Sequence, residues 1–123
     1  MRERFAVDGG VGSLGGPRRR ARTLAAMQIA ELQDVLRRTY LDRDSARGAD
    51  GVFRWMVEEV GEVARAMRAR PRDAVALEHE FSDVLAWLGS LANLLDVDLD
   101  RAAQRYAGGC PKCGAIPCAC EVR

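Results

Sequence analysis

Residues 52–69 read VFRWMVEEVGEVARAMRA, and residues 74–95 read AVALEHEFSDVLAWLGSLANLL. At about 100° of rotation per residue, each run resolves into faces. In the first run Phe53, Met56, Val57, Val60, Val63, Ala64 and Met67 share an arc about 120° wide. In the second, Leu77, Phe81, Val84, Leu85, Leu88 and Leu91 form the same kind of stripe. Both runs are therefore expected to be helices that bury these stripes in a core. Pro71 stops the first helix, and Asp73 can cap the second.

The pattern outward from this pair is also helical. Ile29, Leu32, Val35 and Leu36 predict a helix over about 27–40, followed by a polar stretch from Asp42 to Gly51. After the long helices, Asp96-Val97-Asp98-Leu99-Asp100 reads as a turn. There Asp98 or Asp100 can cap a short helix to about Tyr106, ended by Gly108 and Gly109. No alternating Val/Ile/Thr-rich run predicts a strand. The expected fold is all-α: an antiparallel bundle of about four helices over 27–107, with a Cys-rich tail at 108–123.

Composition supports a single small domain. The chain has 123 residues, 48% of them hydrophobic but only 6% aromatic. Charged residues make up 30%, and the net charge of +1 argues against nucleic acid as a partner. No apolar run approaches the roughly 18 residues of a membrane span, and no apolar segment follows the N-terminal charges as in a secretory signal. A cytoplasmic location is the resulting expectation. Residues 1–26 hold Gly9, Gly10, Gly12, Gly15, Gly16 and Pro17, then Arg18, Arg19, Arg20 and Arg22. They read as a disordered extension, with Met27 opening the domain; a basic arm that touches nucleic acid is the competing reading.

The acids on the two long helices carry the chemistry. Glu58, Glu59 and Glu62 share an arc with Trp55 on the first. Glu80, Asp83, Trp87 and Ser90 share one on the second. A solvated acidic face has no need of a large aromatic on each helix. If the helices pack antiparallel, both acidic arcs can flank one groove. Like charges about 4 Å apart cost on the order of 4 kcal/mol at an effective dielectric near 20, a cost that a divalent cation would remove. All the donors are oxygens, which suits Mg2+ or Mn2+. The Glu-x-x-His pairs of di-iron bundles are missing, and the one histidine, His79, lies at the edge of the arc. Spacing alone leaves open that these acids are simply the wet sides of amphipathic helices.

Glu58-Glu59-Val60-Gly61-Glu62 followed by Glu80-Phe81-Ser82-Asp83 resembles the two-part signature of MazG-like nucleotide pyrophosphohydrolases, of the all-α NTP pyrophosphatase superfamily. The flanks Trp55-Met56-Val57 and Val84-Leu85-Ala86-Trp87-Leu88 are similar too, as are Glu31-Leu32-Gln33 and Asn93-Leu94-Leu95-Asp96-Val97-Asp98-Leu99. The resemblance covers about 27–107. It implies Mg2+-dependent cleavage of a nucleoside triphosphate between its α and β phosphates, giving a monophosphate and pyrophosphate. Glu59, Glu62, Glu80 and Asp83 are implied as Mg2+ ligands, with Glu58 behind them or helping to activate the attacking water. Trp55, Trp87, Asn93, Arg101 and Arg105 are the candidate substrate contacts, and Arg43 and Arg47 are alternatives for the phosphates. Each of these arginines could equally be an ordinary solvated side chain. A homo-oligomer, dimer or tetramer, is also implied, and a small core points the same way.

The four cysteines fall outside that pattern, as Cys110-x2-Cys113-x4-Cys118-x-Cys120. Four thiolates in so short a segment could close around a structural Zn2+; reduced thiols or a redox pair are the alternatives. The competing function is a nucleic-acid-binding or protein-interaction module built on this tail and the basic arm, with the bundle as an inactive scaffold.

Overall fold

The computed structural model describes residues 26–122, so the reading of 1–26 as an extension lies, but for Ala26, outside the described residues. These residues form α1 (Ile29–Arg47), α2 (Ala49–Arg68), α3 (Ala74–Leu94) and α4 (Leu99–Ala103). A 3-10 turn (Gln104–Tyr106) continues α4, and no strand occurs among the described residues. The all-α expectation holds. No helix of the described residues is long and apolar enough to cross a membrane.

α1 runs seven residues further than its apolar periodicity suggests, through what reads as a polar linker. It stops at Gly48, whose φ of +80° is open to glycine but strained for any other residue. Gly48 ends α1 by donating its N–H to the Asp44 carbonyl, and its own carbonyl accepts from Val52 in the first turn of α2. One glycine thus turns what would be a continuous helix into two. The other caps are as expected. The Asp73 carboxylate accepts from the N–H groups of Val75 and Ala76, and Asp98 accepts from Arg101.

α2 and α3 pack against each other most extensively, and α1 lies along α3. Where numbers rise on α2, from Trp55 to Glu59, their neighbours on α3 fall, from Trp87 to Asp83, so this pair is antiparallel. α1 also runs against α3, with Gln33 bonded to Asn93 and Leu36 under Gly89. Among the described residues few are buried: Leu36, Val52, Trp87, Gly89 and Ala92, with Gln33, Asp44 and Ser90 the polar ones. Gln33 ties α1 to the α3–α4 turn by donating to Asn93 Oδ1 (3.1 Å) and the Val97 carbonyl (2.7 Å), and by accepting from the Leu99 N–H (2.9 Å).

The expected core stripes require correction. Phe53, Val57, Val60 and Met67 on α2, and Phe81 and Leu85 on α3, are each half or more exposed. The helices instead turn toward each other the arcs that carry the tryptophans and several of the acids. The most apolar arc of each helix is thus left outside the chain's own core.

Candidate functional site

Two turns of α2 and two of α3 build the acidic cluster. Glu59 sits one turn beyond Trp55, and Asp83 one turn before Trp87, so the antiparallel pairing brings both acids and both rings to one interhelix groove. The Trp55 and Trp87 rings stack with centroids 5.9 Å apart and planes 9° from parallel. Trp87 is buried (3% exposed), whereas Trp55 is half-buried.

Carboxylate oxygens of Glu59, Glu80 and Asp83 all lie within 4.8 Å of one another, and each of these residues is half-buried. Burial raises the Glu59 pKa above its ordinary value, and the charges of Asp83, Glu80, Glu58 and Glu62 raise it further. Three converging half-buried carboxylates form an oxygen-only donor set of the kind that binds Mg2+ or Mn2+. The residues present therefore fit a divalent cation.

The other expected ligands lie at the margin. Glu62 contributes to the field at Glu59, but its carboxylate is paired with Arg65 Nη2 at 2.7 Å. Glu58 is exposed. Asn93 is held inside the fold: its Oδ1 accepts from Gln33 and from Arg37 (3.1 Å), and its Nδ2 donates to the Gln33 carbonyl. Arg101 and Arg105 are exposed, on α4 and the turn that follows it.

Arg43 and Arg47 lie on α1, not in a linker before α2. Arg47 places its guanidinium 5.2 Å from the Trp87 ring centroid and pairs with the buried Asp44 at 3.2 Å. Sequence reasoning passed over Asp44. Its signal was the three-residue spacing to Arg47, which on a helix puts the two side chains on one face. The stretch read as a linker hid that signal. Asp44, Arg47, Trp87 and Trp55 form a continuous chain of contacts, one helical turn along from Glu59 and Asp83, that ties the end of α1 to α3 and α2.

A second cluster occupies the tail. The sulfurs of Cys110, Cys113, Cys118 and Cys120 also lie within 4.8 Å of one another. Hydrogen bonds from the backbone around Ala115 and Ala119 bring the Cys113 thiol down to about 6. The neighbouring sulfurs push Cys120 up to about 11.

Comparison with known proteins gives one finding. The family model for the MazG nucleotide pyrophosphohydrolase domain matches residues 47–108, about half of the chain. The match takes in both halves of the carboxylate cluster, both tryptophans and α4, and it ends before Cys110. No curated protein matches the chain.

Proposed function

The chain belongs to the MazG nucleotide pyrophosphohydrolase domain family, and from that premise we propose that it hydrolyses nucleoside triphosphates to the monophosphate and pyrophosphate in a Mg2+-dependent reaction. The observation that carries this reading is the convergence of Glu59, Glu80 and Asp83 in the groove between α2 and α3. A module that only binds a protein or a nucleic acid has no use for three mutually repelling carboxylates there.

Glu59, Glu80 and Asp83 would hold the metal, with Glu62 joining them once it leaves Arg65. Bound there, Mg2+ would offset the triphosphate charge and acidify a coordinated water. Water attacks the α-phosphorus, the bond to the oxygen bridging the α and β phosphates breaks, and pyrophosphate leaves with that oxygen. A carboxylate at the groove takes the proton of the attacking water. Glu58, exposed beside Glu59, is the candidate for this role. Trp55, backed by Trp87, offers a flat wall for the base, while Arg101 and Arg105 supply positive charge for the phosphates.

The exposed stripes support a further part of the reading. Phe53, Val57, Val60, Phe81 and Leu85 are each 50–55% exposed. An apolar surface of this kind is characteristic of contact between subunits, so the active form is a homo-oligomer.

Release of pyrophosphate from a panel of ribo- and deoxyribonucleoside triphosphates, with and without Mg2+, tests the activity. Turnover should need the metal and should fall by at least about 100-fold in Glu59→Gln and Asp83→Asn, with helix content unchanged. Full activity in both variants would remove the site assignment.

A further inference from the structure

We propose that Cys110, Cys113, Cys118 and Cys120 bind one Zn2+ as four thiolates, a closed structural site that shapes the chain immediately after the catalytic helices. The proposal concerns a part of the protein that the family match does not reach, and it stands apart from the reading of the carboxylate groove.

The geometry fits the metal. A tetrahedral zinc–thiolate centre with Zn–S bonds of about 2.3 Å has sulfurs about 3.8 Å apart along each edge. The Cys110–Cys120 and Cys113–Cys118 sulfurs are each 3.8 Å apart, and the whole set lies within 4.8 Å. A disulfide would bring a pair to about 2.05 Å, so neither pair is at bonding distance. All four sulfurs converge on a common centre, whereas two independent redox pairs would not need to meet.

The backbone is folded to bring the sulfurs together. Gly114 donates to the Cys110 carbonyl (2.7 Å), and Cys110 donates to the Ala115 carbonyl (3.2 Å), which closes the loop around Cys113. Gly114 takes the turn at a φ of +72°. Two N–H groups point at sulfur: Ala119 at Cys113 Sγ and Cys120 at Cys118 Sγ, both at 3.4 Å. Amide donors of this kind stabilise the negative charge of a thiolate ligand.

Beyond these hydrogen bonds, the segment has almost no apolar surface with which to order itself. Its large apolar side chains are Ile116, 80% exposed, and Val122, fully exposed. A segment that buries so little apolar surface needs a cross-link, and a structural metal supplies one. Four thiolates leave no open position for water, so this metal is not catalytic. Soft sulfur ligands also exclude the Mg2+ of the carboxylate groove. On binding, each remaining thiol loses its proton to solvent, and no oxidant is required.

The test uses the full chain, purified under reducing conditions without chelator. Elemental analysis should give about one zinc per chain. Stripping that metal and adding Co2+ should produce the intense visible bands of a tetrahedral thiolate site. Cys113→Ser/Cys118→Ser should lose the zinc and the Co2+ bands while keeping the helical circular dichroism of α1–α3. Absence of zinc in the reduced wild-type chain would overturn the proposal, as would iron in its place. So would Co2+ uptake without the thiolate bands. A mass showing two disulfides in chain that never held metal would give the cysteines a redox role instead. Because none of these readouts depends on turnover, failure here leaves the reading of the carboxylate groove untouched, and failure there leaves this one untouched.

Discussion

Neutralising Glu59 should stabilise the metal-free protein and destabilise the metal-bound one, relative to wild type. Glu59 lies within 4.8 Å of both Glu80 and Asp83, and burial and those charges together raise its pKa. At 4.8 Å a pair of unit charges repels by about 0.9 kcal/mol in a water-like dielectric and by about 3.5 kcal/mol at an effective dielectric of 20. All three residues are half-exposed, so the lower figure is the better guide. Two such pairs give about 2 kcal/mol, which Glu59→Gln removes. For a domain of about 100 residues, this corresponds to a Tm rise of roughly 8–10 °C in chelator.

The pH dependence fixes the sign. A carboxylate whose folded pKa lies above its unfolded value holds its proton more tightly when folded. The contribution of Glu59 to wild-type stability is therefore fully present below the ordinary carboxylate value of 4.5 and is lost as pH rises through the folded pKa. The advantage of Glu59→Gln should be smallest at pH 4 and should grow as pH rises through the folded pKa of Glu59. Saturating Mg2+ should reverse the order: at a hundred times its Kd, a ligand adds about 2.7 kcal/mol, which wild type should gain and the variant should largely forfeit. Thermal melts of both proteins, with chelator and with Mg2+, read all four values. If the variant melts no higher than wild type in chelator, or if Mg2+ raises both equally, the carboxylates are a solvated face and not a metal site.

Three further outcomes are expected. Leu85→Glu and Val57→Glu, each on an exposed apolar stripe, should cost an isolated monomer under about 0.5 kcal/mol but dissociate the assembly; sedimentation showing an unchanged oligomer would place the subunit contact elsewhere. A Cβ on Gly89 would clash with Cδ1 of the buried Leu36, so Gly89→Ala should lose about 1–3 kcal/mol in denaturant melts, and adding Leu36→Val should restore part of the loss. Asp73→Ala removes the acceptor for two N–H groups at the start of α3 and should cost about 1 kcal/mol by the same measurement.

The helices were legible because local signals specify them. Apolar periodicity marked α2 and α3 to within a few residues, and Asp73 and Asp98 cap as their position suggests. The second half of α1 was not legible, because Asp42 to Gly51 has little apolar periodicity. Its helical state is supported by the Asp44–Arg47 pair within α1, whose three-residue spacing the linker reading hid, and by the tertiary contact of Arg47 over Trp87, which sequence spacing does not display. The carboxylates were legible as a set, since helical spacing brings acids onto one arc. Which of them converge depends on the register of α2 against α3, and that selects Glu59, Glu80 and Asp83 while leaving Glu58 and Glu62 at the margin.

The misplaced core has a physical cause that bears on function. An apolar stripe shows that a face avoids water; it does not show what covers that face. Here α2 and α3 have two demands on their surfaces. The groove must admit acids, so the face between the helices carries Glu59, Glu80 and Asp83 and relies on Trp87, Val52 and their neighbours for cohesion. Such an interface buries little apolar area, which leaves Val57, Val60, Phe81 and Leu85 to be covered elsewhere. On α2 the apolar arc is centred about 100° from Glu59, too far around the helix for one contact to serve both purposes. A second subunit, as proposed above, would be the economical solution, because it would supply the missing core without displacing the acids. The two tryptophans mark this division in the sequence itself: large aromatics on an acidic arc belong to a polar face that is turned inward.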